Sequence, residues 1–342
     1  MSFSHLTALR GLPKVDLHRH LDCSMRWSTL VELAPQVGIP LPASPSAWRD
    51  EFLVTSPMRD LDSVLKKFLH AQKVLSSEEI LERLAFEACE DAWNDGILIL
   101  ELRYAPSFIA DGHANLNFDR IHAALWRGIE RARRSFPMAV GLIGIIQRIK
   151  SFETARTVAD FVIDHRDSFL GLDLADNELG FDPKPFAPLF EKARRAGLRL
   201  TVHSGETPDD TAPKWVRDSI EVLGAERIGH GVQIIRDPQV LAFVRDRKIP
   251  LEVCPISNWL TRAFPDHQSH PIRRLIEAGV RVTINTDDPG IFDTTLTDDY
   301  EVLARVHGFT AADFNHANDI AAAASFIPRA ERARVWPRPL PP

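Results

Sequence analysis

Cysteine is scarce in this 342-residue chain: Cys23, Cys89 and Cys254 are an odd number, too scattered for a disulfide framework, and none forms a paired zinc-knuckle spacing. They read as reduced thiols of a cytoplasmic protein. Long apolar runs are lacking as well. Met1 to Lys14 holds no signal-peptide h-region, and stretches such as Ala139 to Ile146 are far too short to span a bilayer, so no membrane partner is expected. A basic run is also missing: 41 Lys and Arg against 47 Asp and Glu give a net charge of −6, which argues against nucleic acid as a partner. What is present, 44% hydrophobic and 26% charged residues, excludes disorder and collagen-like structure and leaves ample chain for a large core.

Short apolar runs recur, each ending in polar residues and followed by a segment of helical period. Eight of them read as strands: Val15 to His18, Gly96 to Arg103, Val140 to Gln147, Leu170 to Asp176, Leu198 to His203, Arg227 to His230, Pro250 to Cys254, and Val280 to Thr286. Strand and helix in alternation predict a parallel sheet, and eight strands close a (β/α)8 TIM barrel. Helix boundaries support the pattern: Ser76 with Glu79 reads as a capping box, and Gly197 and Gly279 sit where helix C-caps belong. The reading is of one domain over 1–342, with a helical insertion at about 27–94 and extra C-terminal helices at about 298–335.

The insertion opens with prolines (Pro35, Pro40, Pro42, Pro45, Pro57). A predicted amphipathic helix follows, with Leu61, Val64, Leu65, Phe68, Leu69 and Leu75 on one face. It packs on the barrel or, directly after strand one, forms a lid over the barrel mouth. The tail Trp336 to Pro342, with four prolines, is expected to be non-helical and frayed.

His18 and His20 stand two apart at a strand end, so both imidazoles project from one face. A lone pair of that kind is often incidental. However, His203, His230, Asp287 and Asp288 also fall at predicted C-terminal strand ends, and in a barrel those ends share one rim. Imidazoles with a carboxylate and no thiolate suit Zn²⁺; Cys254 reads as a buried strand residue. Glu206, three residues after His203, is placed to carry protons beside a metal, and Gly205 lets backbone approach a ligand or simply makes a turn. Asp287 and Asp288 precede Pro289 and Gly290, which alone would mark a turn; as neighbours they point apart, so one can bind metal while the other faces substrate.

Five segments carry a resemblance: Leu12 to Asp22 (LPKVDLHRHLD), Val202 to Glu206 (VHSGE), Arg227 to Gly231 (RIGHG), Cys254 to Asn258 (CPISN) and Ile284 to Pro289 (INTDDP). Together, in this order, they resemble the adenosine deaminase family of the amidohydrolase superfamily. The resemblance implies one Zn²⁺ per chain held by His18, His20, His203 and Asp287, with zinc-bound hydroxide attacking purine C6. It implies Glu206 as proton donor to N1, His230 as the residue that orients and deprotonates the water with help from Asp287, Asp288 at N7 and Asp22 at the sugar's 5′ side. The absence of Lys from Leu170 to Gly180 removes the bridging group that a two-metal barrel site needs.

The remaining expected substrate contacts are His20, Asp176, Gly205, Leu65 and Phe68. Cys23, Ser204 and Asp176 depart from the family's usual residues, Gly, Ala and Gly, and leave the nucleoside open. Adenosine or 2′-deoxyadenosine is the expected substrate. The alternatives are 6-aminodeoxyfutalosine or another 5′-modified adenosine, adenine, another metal-dependent hydrolysis on the same barrel, and a non-catalytic nucleoside-binding protein.

Overall fold

The computed structural model describes residues 8–40 and 44–340. Eight strands pair in parallel in sequence order: β1 (Lys14–His20), β2 (Ile97–Tyr104), β3 (Ala139–Gln147), β4 (Gly171–Ala175), β5 (Arg199–Ser204), β6 (Arg227–His230), β7 (Leu251–Val253) and β8 (Val282–Ile284). Helices between them make a (β/α)8 TIM barrel. Near-continuous Val, Ile and Leu in β2 and β3 fit strands covered on both faces, as a parallel sheet requires.

Closure between β8 and β1 differs from the other seams. In place of a ladder, Asn285 and Asn318 each accept a backbone N–H of β1, from Leu17 at 2.9 Å and Val15 at 2.8 Å. Further up, the Asp287 N–H donates to the His18 carbonyl and the His20 N–H donates to the Asp287 carbonyl, both at 2.8 Å. The barrel is therefore sewn shut at three of the residues predicted to hold metal.

The segment between β1 and β2 contains four α-helices: α1 (Trp27–Leu33), α2 (Pro45–Phe52), α3 (Leu61–Gln72) and α4 (Glu78–Asn94). Val64 and Phe68 of α3 are buried, but Leu69 is exposed and Leu75 lies beyond the helix, so the expected apolar face is narrower than the sequence suggested. α4 begins one residue later than predicted. Ser77 is its N-cap, accepting from the Ile80 N–H at 3.3 Å, and the Ser76–Glu79 capping box does not form. Gly197 and Gly279 do follow helix ends in left-handed conformation (φ +92° and +84°). Cys254 is buried as expected but sits just past β7 rather than within it. Pro42, Pro341 and Pro342 lie outside the described residues.

Three helices follow β8 and its short turn: Leu296–His307, Ala311–Ala324 and Arg329–Val335. The tail after them corrects an expectation. It is non-helical, yet it is not frayed: Trp336 is buried against Val15, Ile99 and Ile327, its indole N–H donates to Asp319 at 3.1 Å, and Arg338 bonds the same carboxylate at 2.8 Å. Proline prevents helix without preventing packing, because an aromatic side chain ahead of it fills the underside of the barrel. Among the described residues no helix is long and apolar enough to cross a membrane.

Trp336→Ala is expected to lower the free energy of unfolding by about 3–5 kcal/mol, as for other large buried aromatics. Urea denaturation curves that superimpose on those of the parent chain would show that the tail is dispensable.

Candidate functional site

The barrel interior is charged where this fold usually stacks apolar layers. Glu252, between Leu251 and Val253, accepts from Arg227 Nε at 2.6 Å, from Arg103 Nη2 at 2.8 Å and from His18 Nδ1 at 2.7 Å. Burial alone would push its carboxyl up, but the two guanidiniums hold it well below the carboxylate range. Arg103 also donates to Asp173 at 2.8 Å, and Asp173 stands 3.0 Å from His203 Nδ1. An ionised carboxylate only accepts, so each of these imidazoles carries its proton on Nδ1 and turns an unprotonated Nε2 toward the rim.

There the Nε2 atoms converge. His20 Nε2 is 3.1 Å from His203 Nε2 and 3.3 Å from Asp287 Oδ1; His18 Nε2 is 3.1 Å from the same oxygen, buried and without a hydrogen-bond partner. Four donors on metal–nitrogen bonds of ~2.0–2.1 Å at tetrahedral angles would stand about 3.3 Å apart. The donor set, its spacing and the orphaned nitrogen thus suit one divalent metal ion, and the residues support a metal cofactor. Burial pushes His203 well below the usual histidine range, keeping it a neutral donor. His20 is the exception: burial lowers it, but the surrounding carboxyls of Asp288, Asp287 and Asp22 raise it to about 9. That corner of the site demands positive charge, as a proton or as a metal ion.

Asp287 receives the Ser257 hydroxyl at 2.6 Å and is held well below the carboxylate range, because the neighbouring imidazoles of His230, His18 and His20 outweigh its burial. Asp288 moves the other way, raised by burial and by Asp287 beside it, and therefore tends to hold a proton. Glu206 is raised to about 8, by burial first and the Asp287 charge second; it accepts from Thr261 Oγ1 at 2.7 Å and lies 3.6 Å from His230 Nε2. His230 is lowered by burial and meets the Asn258 amide at 3.1 Å. Cys254 Sγ approaches His230 and Asp287, but burial and then the Asp287 charge push the thiol up, so it stays protonated.

Backbone strain marks the rim. Of six non-glycine residues with positive φ among those described, His230 (+60°) ends β6, and Asp176 (+83°) and Asp287 (+69°) lie one and three residues past the ends of β4 and β8. Left-handed backbone costs on the order of 1–3 kcal/mol in a non-glycine residue and gathers at functional sites. Asp176 is further fixed by Gln147 Nε2, which donates to it at 2.9 Å.

Two cavities meet here. A small one of about 60 Å³ is lined by His20, His203, Glu206, His230, Asp287 and Asp288, with Val64 of α3 covering it. A wider one of about 500 Å³ adds Asp22 and Cys23, and the two share His20, Leu65, Phe68, Ala175 and Asp176. The predicted site residues line one or both of these cavities except His18, which is fully buried with its Nε2 in the donor set, and Gly205. Gly205 lines neither cavity and gives its N–H to Glu178 at 2.8 Å; a Cβ there would meet Val216 at 2.6 Å, so packing explains the glycine.

Sequence reasoning missed the residues that orient the others: Glu252, Asp173 and Glu178. The first two had a signal, a single acid inside an apolar strand. Glu178 had none. Its buried carboxylate accepts the N–H groups of Gly205, Glu206 (2.7 Å) and Thr207 (2.5 Å), fixing the loop that presents Glu206. Arg148, also missed, donates to the His203 carbonyl.

The family model described as Adenosine deaminase matches residues 13–338. The chain is similar to the adenosine deaminase of Pectobacterium atrosepticum (36% identity over 325 residues, 95% of each chain) and to that of Plasmodium falciparum (35% over 320 residues, 93% of this chain and 86% of the relative). Among solved structures it is similar to the adenine deaminase of Arthrobacter aurescens (TM-score 0.86, 26% identity, 94% of this chain and 96% of that one). It is equally similar to an amidohydrolase from Burkholderia ambifaria with bound Zn (TM-score 0.86, 26%, 97% and 91%).

In Glu178→Ala the amides of Gly205, Glu206 and Thr207 lose their acceptor, and their hydrogen exchange is expected to accelerate at least tenfold, as loss of about 1–3 kcal/mol of hydrogen bonding implies. Unchanged protection of those three amides would remove the carboxylate's role in holding the loop.

Proposed function

The chain belongs to the adenosine deaminase family, and from that premise we propose that it hydrolyses adenosine or 2′-deoxyadenosine to inosine or 2′-deoxyinosine and ammonia, with one Zn²⁺ per chain. It is a hydrolase acting on C–N bonds. The observation that carries the finer reading is the pairing, within one small cavity, of a converging three-imidazole and one-carboxylate donor set with a buried Glu206 raised to about 8.

His18, His20, His203 and Asp287 would hold the ion. When bound, zinc makes water available as a nucleophile at neutral pH by lowering its pKa from 15.7 to about 7. The rest falls to the chain's own side chains. Glu206 keeps its proton near neutrality and gives it to purine N1, so that charge developing on the ring as C6 is attacked is neutralised there; acid catalysis of this kind contributes roughly 10²- to 10⁴-fold. His230, near Glu206 and Asp287, takes the proton that the attacking water loses. Asp288, holding its own proton, donates to N7. Asp22 and Asp176 face the sugar, and Leu65 and Phe68 of α3 act as a lid that keeps water from the reacting carbon. The acids thus divide into proton holders, Glu206 and Asp288, and an ionised Asp287, a division set by burial and by the groups beside each.

A non-catalytic nucleoside binder built on this scaffold has no use for a strained base, a raised acid and a donor set in one cavity. Glu206→Gln, isosteric but unable to donate the acid proton, is expected to retain zinc by elemental analysis while adenosine turnover, followed by the fall in purine absorbance, drops roughly 10²- to 10⁴-fold. Turnover within a few-fold of the parent would refute Glu206 as the acid, and zinc-loaded parent protein that leaves adenosine unchanged would refute the reaction.

A further inference from the structure

The wider cavity continues outward from the catalytic one and changes character as it does. Among the described residues six large hydrophobic side chains are exposed, each between 38% and 52%. Leu69, Ile149 and Phe181 of this group line the wider cavity, and Phe152 and Leu179 lie within three residues of its lining. Exposed apolar groups scattered singly are ordinary, but a group gathered around the mouth of a binding cavity marks what that cavity takes.

Orientation follows from the reaction. The proposed chemistry places purine C6 in the small cavity, beside Glu206, His230 and Asp287. N9 lies on the far side of the purine, so whatever it bears points through the walls that both cavities share and into the wider one. The sugar hydroxyls then meet the carboxylates of Asp22 and Asp176. The 5′ carbon is the sugar's single exocyclic arm, and the cavity that holds those carboxylates is also lined by Phe108, Ile149 and Phe181.

Charge narrows the choice. Lys150 is the one Lys or Arg among the described residues lining this cavity, and it is already paired with Asp111 at 3.1 Å, while Asp22 and Asp176 line the same cavity. A phosphate on the 5′ arm finds no free cation and a facing carboxylate. We propose that the site accepts adenine nucleosides carrying an uncharged apolar substituent at the 5′ position, with the substituent seated against Ile149, Phe181 and Leu69. This rests on the deaminase reading and names a substrate class within it: water breaks the C6–N bond as for adenosine, ammonia leaves, and the 5′ group is untouched.

The test uses zinc-loaded protein with adenosine, AMP and a series of 5′-deoxy-5′-(alkylthio)adenosines from methyl to butyl. The expected result is kcat/KM that rises along the series, by up to about fourfold per methylene that becomes buried, and poor turnover of AMP. Ile149→Asp and Phe181→Asp should lower the ratio of kcat/KM for the butylthio compound over adenosine at least tenfold, chiefly through KM. Adenosine turnover without turnover of the alkylthio series overturns the proposal and leaves the deaminase reading standing. A fall shared equally by both substrates in the two variants assigns the rim to lid closure alone and also overturns it. Failure of every compound, adenosine included, overturns the deaminase reading and this proposal with it.

Discussion

Glu252 is the point on which the rest of the site turns. One carboxylate at the barrel axis meets two guanidiniums and an imidazole, with the Arg103 fork extending the contact to Asp173 and, through it, to His203. Taking such ions out of water costs several kcal/mol each, and only close mutual geometry offsets it. The arrangement therefore tolerates no slack: each ion is confined by partners that would themselves be stranded if it moved. Rigidity of that kind is what donors around a metal ion require, because the imidazoles of His18 and His203 are fixed in tautomer and direction before any ion arrives.

Above this ionic floor the site separates like from like. Asp287 is surrounded by imidazoles and stays ionised, while Asp288, one peptide away and buried, is pushed toward its neutral form by its neighbour's charge. Glu206, shielded from solvent under α3, also holds its proton. These three carboxyls within one mouth thus offer acceptors and donors at the same pH, and the division comes from burial and distance rather than from residue type. The strained backbone of Asp176, His230 and Asp287 belongs to the same economy, since turning sharply at a strand end aims a side chain into the mouth that an extended residue would send past it.

The eight strands were legible because short apolar runs that end in polar residues follow from local chemistry, and the four metal-binding candidates because histidines and acids at strand ends fell within motifs that resemble a known family. Misreadings share one cause. Ser76 and Ser77 are chemically identical caps, and only packing decides which of two adjacent serines starts α4. Prolines in the tail rule out helix, but whether Trp336 finds an apolar bed depends on β1, β2 and the loop after the helix Ala311–Ala324, from nine to more than three hundred residues away in the chain. Leu69 fits a helical stripe and is nevertheless left exposed in the lining of the wider cavity.

By itself the sequence determined the strand count, the barrel, and the identity of imidazoles and acids at strand ends, since these depend on the chemistry of each residue and its spacing to near neighbours. Only the tertiary structure decided which nitrogen of each histidine faces inward, which of two adjacent aspartates stays ionised, and that Glu178 and Glu252 govern residues far from them in the chain. Those outcomes are set by electric fields and hydrogen bonds acting across a few ångströms of folded interior, a distance that no spacing along a polypeptide encodes.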